Sequence, residues 1–133
     1  MPSPPQPHTH VVLLVEDDAG TRDAMHATLV AHEYTVVCAR DGDDALTLVR
    51  REPRACVILL DVMMSGVSGD DFRRAQLADR SVRDIPVILV SGVHDLAGRA
   101  QALDAAAYLG KPLDMGRLVA TIARHCAAAT AVA

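Results

Sequence analysis

The residues with chemistry to offer sit where apolar runs stop. Val57 to Leu60 run straight into Asp61, and VVLLV (11–15) runs into Glu16, Asp17 and Asp18. PVILV (86–90) runs into Ser91 and Gly92, and the short AYLG runs into Lys111 and Pro112. Three or more carboxylates, a hydroxyl and an amine thus leave the ends of separate segments. Two carboxylates about 5 Å apart repel by roughly 3 kcal/mol at an effective dielectric near 20. Gathered together, such acids raise one another's pKa unless a positive charge sits among them. A hard divalent cation resolves the conflict, and Mg²⁺ suits one or two carboxylates plus a phosphate oxygen. Lys111 adds a movable point charge for a phosphoryl oxygen and Ser91 a donor for another. These are the parts of a phosphoryl-transfer site with an anionic oxygen nucleophile.

Each residue also has a duller use. An acid after a strand serves as a solvated loop residue or a helix cap, and Asp17 or Asp18 is suited to cap the helix that follows. Ser91 fits a cap or turn. Lys111 resists such an explanation, because it is the single lysine among 13 basic residues. A chain that otherwise uses arginine places a compact ammonium at the end of a strand. The joint arrangement is far more specific than any one member.

Positioning these groups requires an alternation of strands and helices. Short branched runs edged by loop residues suit strands buried on both faces. Strands are read at 11–15, 34–38, 56–60, 86–90 and 107–109. Helices are read at 19–32, 43–51, from Ser68 through Phe72 and Ala75, at roughly 95–104, and from Met115 to Cys126 along Leu118, Val119 and Ile122. Five βα units imply a parallel sheet with helices on both faces and right-handed crossovers. The expected fold is an α/β, flavodoxin-like, doubly wound (βα)5 sheet of order 2-1-3-4-5. Its crevice would lie between Glu16-Asp17 and Asp61, at the strand ends where open α/β folds bind ligands.

Composition narrows the function. At 133 residues, half of them hydrophobic, the chain holds one domain with a real core. With 2% aromatics, that core is aliphatic. The net charge of −4 argues against nonspecific nucleic-acid binding, and no apolar run approaches the roughly 20 residues of a membrane span. Residues 1–10 hold four of the seven prolines and read as a disordered tail rather than a secretory signal. Residues 11–126 form the expected domain, and 127–133 read as a flexible end. Cys38, Cys56 and Cys126 are odd in number and lack CxxC spacing. They read as reduced core thiols in a cytoplasmic protein, in preference to zinc ligands or a disulfide.

The order and spacing of LLVEDD, DVMMSGVSG, VILVSG and YLGKP resemble the receiver domain of bacterial response regulators, over roughly residues 10 to 126. The resemblance implies that Asp61 is the phosphoacceptor. It implies an acidic pair, Glu16 and Asp17, with Asp17 as a direct Mg²⁺ ligand and the Met63 carbonyl as another. Ser91, with Gly92 after it, and Lys111 match the groups that grip the phosphoryl group. Tyr108 matches an aromatic switch position, and Pro112 a proline following a cis bond.

The implied partners are a histidine kinase or histidine phosphotransfer protein, and a downstream protein bound through helix 95–104, strand 107–109 and helix 114–126. The protein would be a monomer or a phosphorylation-dependent dimer, with no nucleic acid or membrane contact. It would be a phosphoacceptor, not an enzyme, with self-catalysed phosphotransfer and slow autodephosphorylation, because Met63 and Val93 cannot orient water. It would stand alone or form a module of a hybrid kinase or larger regulator. Three departures stand out: Ser65 replaces the usual proline, Leu113 the usual phenylalanine, and Asp104-Ala105 an Ala-Gly pair.

Rival readings fit less well. A flavodoxin needs a Ser/Thr/Gly-rich phosphate loop after its first strand, where this chain is acidic. An aspartyl-phosphate phosphatase needs Asp-x-Asp, and Asp61-Val62-Met63 lacks the second acid. No GxxxxGK[ST] is present for a P-loop. A degenerate receiver acting only as an interaction module is opposed by the retained site groups.

Overall fold

The structure is a computed structural model, which describes residues 10–51, 54–63 and 68–131. Its strands are β1 (Val11–Val15), β2 (Thr35–Ala39), β3 (Val57–Leu60), β4 (Val87–Ser91) and β5 (Ala107–Gly110). The helices α1 (Ala19–Ala31), α2 (Gly42–Val49), α3 (Gly69–Ala78), α4 (Leu96–Ala102) and α5 (Met115–Ala131) follow them in strict alternation. All strand pairs are parallel, in the order β2-β1-β3-β4-β5. This is the doubly wound sheet expected from the alternation.

β1 and β3 are apolar at every position, and β4 at every position before Ser91, because both their faces are covered. Leu13, Val15, Ile58, Leu60 and Leu89 pack with Ala45, Val49, Phe72, Leu96 and Ala100 from α2, α3 and α4. Val12, Leu14, Val57, Leu59, Ile88 and Val90 pack instead with Met25, Leu29, Leu118 and Ile122 from α1 and α5. Side chains of successive residues point to opposite faces, so one run feeds both cores. Phe72, the only phenylalanine, is fully buried among them.

Capping side chains start all five helices; at the last, Asp114 Oδ1 accepts from Arg117 N at 3.1 Å. Asp18 accepts from Thr21 N at 2.8 Å, Asp41 from Asp44 N at 2.8 Å, Ser68 from Asp71 N at 3.2 Å and Asp95 from Gly98 N at 3.1 Å. Each satisfies an N–H that the helix cannot pair internally. α3 carries a buried polar latch as well. Arg73 donates to the carbonyls of Leu103 and Asp104, both at 2.9 Å, and to Gln76 at 2.7 Å. Gln76 donates in turn to Val82 and Ile85, each at 3.0 Å. Asp104 takes φ 52°, a left-handed value that aspartate tolerates better than most residues.

Two differences from the sequence reading stand out. α5 continues to Ala131 rather than ending near Cys126, in keeping with the high helix propensity of its alanine-rich end. Cys56 and Cys126, expected as reduced thiols, form a disulfide with a Cα–Cα distance of 5.1 Å; Cys38 is free. The pair is 70 residues apart in sequence. Only the lie of α5 across the sheet brings Cys126 to the residue that leads into β3, so no local spacing could reveal it. The expected tail falls mostly on residues 1–9, outside the described residues, but His10 joins the sheet through its carbonyl, which accepts from Thr35 N at 3.1 Å.

Closing a loop of this length restricts the unfolded chain by about 4 kcal/mol in the chain-entropy account. Reduction with a phosphine, or Cys126→Ser, therefore lowers the thermal midpoint by roughly 10 °C or more. A calorimetric scan with and without reductant, in chelator-treated buffer, checks this; superimposable scans would rule out a stabilising cross-link.

Candidate functional site

β1, β3, β4 and β5 all end on the same side of the sheet, and the expected groups meet there. Glu16, Asp17, Asp18, Asp61, Met63, Ser91, Gly92, Val93 and Lys111 line an open pocket of about 310 Å³. The register explains the convergence. Val15 pairs with Leu60, Leu60 with Leu89 and Ser91 with Gly110, so the residues that follow leave at one level.

Lys111 is the hub. Its Nζ donates to Glu16 Oε1 at 2.6 Å and to Asp61 Oδ2 at 3.0 Å. The other Asp61 oxygen, Oδ1, accepts from Met63 N at 2.8 Å. Glu16 and Asp61 are 1% and 4% exposed, so their charges are largely removed from water. Burial, followed by hydrogen bonding and repulsion from Asp61, pushes the Glu16 carboxyl up to about 7 despite the opposing pull of Lys111. Burial works against the Lys111 ammonium, yet its bonds to Glu16 and Asp61 hold its pKa above the ordinary value.

Carboxylate oxygens of Glu16, Asp17 and Asp61 all lie within 4.8 Å of one another. An all-oxygen set on one exposed and two buried acids fits a hard divalent cation. Burial is the larger cause of the raised Glu16 pKa, and repulsion from Asp61 adds to it; such an ion would offset that repulsion.

The structure separates two acids that the sequence left open. Asp18 caps α1, and its bonds from Thr21 hold its pKa below the usual value, while Asp17 joins Glu16 and Asp61 in the carboxylate cluster. Ser91 is buried, with Oγ accepting from Val93 N at 3.4 Å. Tyr108, on β5, is 49% exposed and stands outside the pocket. The Lys111-Pro112 bond is cis, as the resemblance implied. Leu113 packs partly buried against the α1/α5 core. Ser65 lies outside the described residues.

Two contributors escaped the sequence reading. Arg22 Nη1 donates to the carbonyls of Glu16 at 2.9 Å and Asp17 at 3.4 Å, fixing the acidic loop from α1. An arginine on an otherwise solvated helix face gave no sign of this. Gly69 is the other. A Cβ there would stand 2.9 Å from both Asp61 O and Val62 Cα, so α3 approaches the strand end only because the position has no side chain.

A family model described as "Response regulator receiver domain" matches residues 12–123. The chain belongs to the response regulator receiver domain family. Among curated proteins it is 35% identical over 113 residues to the response regulator PleD of Caulobacter vibrioides, a match covering 84% of this chain and 25% of PleD. It is 34% identical to the response regulator MprA of Mycobacterium leprae, covering 84% of this chain and 48% of MprA. The receiver thus spans a quarter to a half of the length of these relatives. The chemotaxis protein CheY4 of Vibrio cholerae superposes with a TM-score of 0.80 at 27% identity, covering 88% of this chain and 98% of CheY4. A response regulator receiver protein from Pseudomonas putida gives 0.79 at 28% identity, covering 86% and 95%. Among the described residues, no helix of the receiver is long and apolar enough to cross a membrane.

Two outcomes follow from this geometry. The folded pKa of Glu16 lies above the unfolded value of 4.5, so the native state binds the extra proton between the two values. The group's contribution to stability is therefore greatest below about 4.5 and is lost as pH rises through about 7. Carboxyl NMR on chelator-treated protein should show one glutamate titrating near 7 that Glu16→Gln removes; if every glutamate titrated in the ordinary range, the buried excess charge would be disproved. Gly69→Val should cost on the order of 2 kcal/mol and shift the Asp61 and Val62 amide resonances, whereas unperturbed resonances would mean that α3 can move away freely.

Proposed function

We propose that the receiver accepts a phosphoryl group on Asp61 from a phosphohistidine of a kinase or phosphotransfer protein and changes its protein-binding surface in response. The observation that carries this reading is the state of Asp61. It is buried, held at one oxygen by Lys111 and at the other by Met63 N, and set in a pocket open to solvent. Those bonds orient the nucleophile without enclosing it.

An Asp61 carboxylate oxygen attacks phosphorus, the P–N bond breaks, and the imidazole leaves with the electron pair. The product is an acyl phosphate. Lys111 Nζ, bonded to Asp61 Oδ2 before reaction, is placed to follow the negative charge onto the transferred oxygens. Ser91 Oγ is available to donate to a second phosphoryl oxygen. Glu16, Asp17, Asp61 and the Met63 carbonyl would hold Mg²⁺, which supplies charge neutralisation on the phosphoryl group when bound. Arg22 keeps the carbonyls of Glu16 and Asp17 in place during this change.

The response is a shift between two packings. Movement of Ser91 toward the phosphoryl group opens room for the exposed Tyr108 to turn inward, which alters the face formed by α4, β5 and α5. A downstream protein recognises that face. Met63 and Val93 present apolar side chains at the pocket, so neither positions a water for attack on the acyl phosphate. The protein then acts as a long-lived phosphoacceptor rather than as an enzyme turning over a separate substrate.

Acetyl phosphate with Mg²⁺ should add one phosphoryl group per chain, seen by intact-mass spectrometry. Asp61→Asn should abolish the addition, and Lys111→Ala should slow it by roughly 100-fold, the scale of losing one charge-stabilising donor. Single-site labelling that survives Asp61→Asn would overturn the assignment. An acyl phosphate that decays within seconds would overturn the slow self-dephosphorylation.

A further inference from the structure

At the opposite ends of the strands from Asp61, a second group of ligating side chains comes together. A ring nitrogen of His10 and the sulfurs of Cys56 and Cys126 all lie within 4.8 Å of one another. They arrive on three separate parts of the fold: the residue before β1, the residue before β3, and the buried face of α5. Their backbones are tied down. The His10 carbonyl accepts from Thr35 N at 3.1 Å, and Cys56 N donates to the Val11 carbonyl at 2.7 Å. The His10 ring stands edge-on to Tyr34, with centroids 6.0 Å apart.

We propose that, with the disulfide reduced, His10, Cys56 and Cys126 form a binding site for zinc(II) or a similarly thiophilic divalent ion. The donor set is one imidazole nitrogen and two sulfurs, which suits borderline-soft ions and not Mg²⁺. Two thiolates balance the charge of a dication and a neutral imidazole adds none, so no net charge is buried. Tetrahedral ligation at ordinary Zn–S lengths needs the sulfurs roughly 3.8 Å apart. Rotation of the two cysteine side chains reaches that separation over a Cα–Cα distance of 5.1 Å. Cys126 is buried, while His10 and Cys56 are only partly buried, so an ion enters from their side and a solvent ligand completes the shell.

Metal and oxidant compete for the same two sulfurs. A thiol reductant supplies two electrons to the S–S bond, itself becoming a disulfide, and two protons are taken up to give Cys56 and Cys126 thiols. Binding of the ion then displaces those two protons to solvent, and the occupied thiolates cannot re-form the disulfide. Either state joins α5 to the sheet, one by a covalent bond and the other through the ion. The site shares no residue with the acidic pocket, and its hard-soft preference is the reverse, so the two are occupied independently.

The test uses the full chain, reduced and freed of reductant under anaerobic conditions, with Co²⁺ as the spectroscopic probe and Zn²⁺ as competitor. The expected result is one Co²⁺ per chain, with thiolate-to-metal charge-transfer absorption that Zn²⁺ abolishes. The disulfide form should lack that absorption. Cys56→Ser and Cys126→Ser should each weaken binding strongly. Because Cys126 is buried and its variant could fail to fold, His10→Gln provides the second arm. It keeps both thiols, and affinity should fall by more than about 10-fold, the least that loss of even an outer-shell partner causes. Cys38→Ser should bind as the unaltered protein does. Absence of the absorption in reduced protein overturns the proposal, as does its persistence in the disulfide form or in both Cys56→Ser and Cys126→Ser. An unchanged affinity in His10→Gln overturns the three-ligand site.

Discussion

The arrangement depends on a single ammonium group between two buried carboxylates. Lys111 bonds Glu16 and Asp61, and the three residues come from the ends of three different strands. Removing two carboxylates from water costs several kcal/mol unless a positive charge is close. One lysine does not fully meet that demand: three carboxylates gather around a single ammonium, and burial above all pushes the Glu16 carboxyl up to about 7. The site is therefore short of positive charge. The gathering of Glu16, Asp17 and Asp61 around one ammonium is the imbalance that a divalent cation would offset.

The scaffold is built to keep this unfavourable cluster in place. Apolar strands buried on both faces leave no freedom in register, since a slip of one residue would exchange the two cores. Register in turn fixes the level at which Glu16, Asp61, Ser91 and Lys111 leave the sheet. Backbone contacts refine the placement: Arg22 holds the carbonyls of the acidic loop, and the bare α-carbon of Gly69 lets α3 close against Asp61. Stability and site geometry thus rest on the same packing.

The two sides of the sheet are fastened differently. On the α3 and α4 side, Arg73 and Gln76 replace apolar packing with a satisfied polar network, which ties α3 to the turn before β5 and to the loop ahead of β4. A buried guanidinium is tolerable there because it donates to three separate oxygens. On the α5 side, the link is the Cys56–Cys126 disulfide, beside His10. The second fastening lies at the far end of the strands from Asp61.

The amino-acid order determined the strand and helix alternation, and with it a parallel sheet from one side of which the acids emerge. Those properties follow from local periodicity and from the handedness of βα crossovers, which neighbouring residues alone dictate. It also singled out Asp61 and Lys111, because a lone lysine and a lone acid at strand ends are visible without coordinates. Tertiary structure decided which of Asp17 and Asp18 joins the carboxylate cluster and which caps α1, that Arg22 and Gly69 serve the pocket, and that Cys56 meets Cys126. Each of those depends on the angle at which a helix lies on the sheet. That angle is set by side chains packing from many distant positions at once, so no short stretch of sequence contains it.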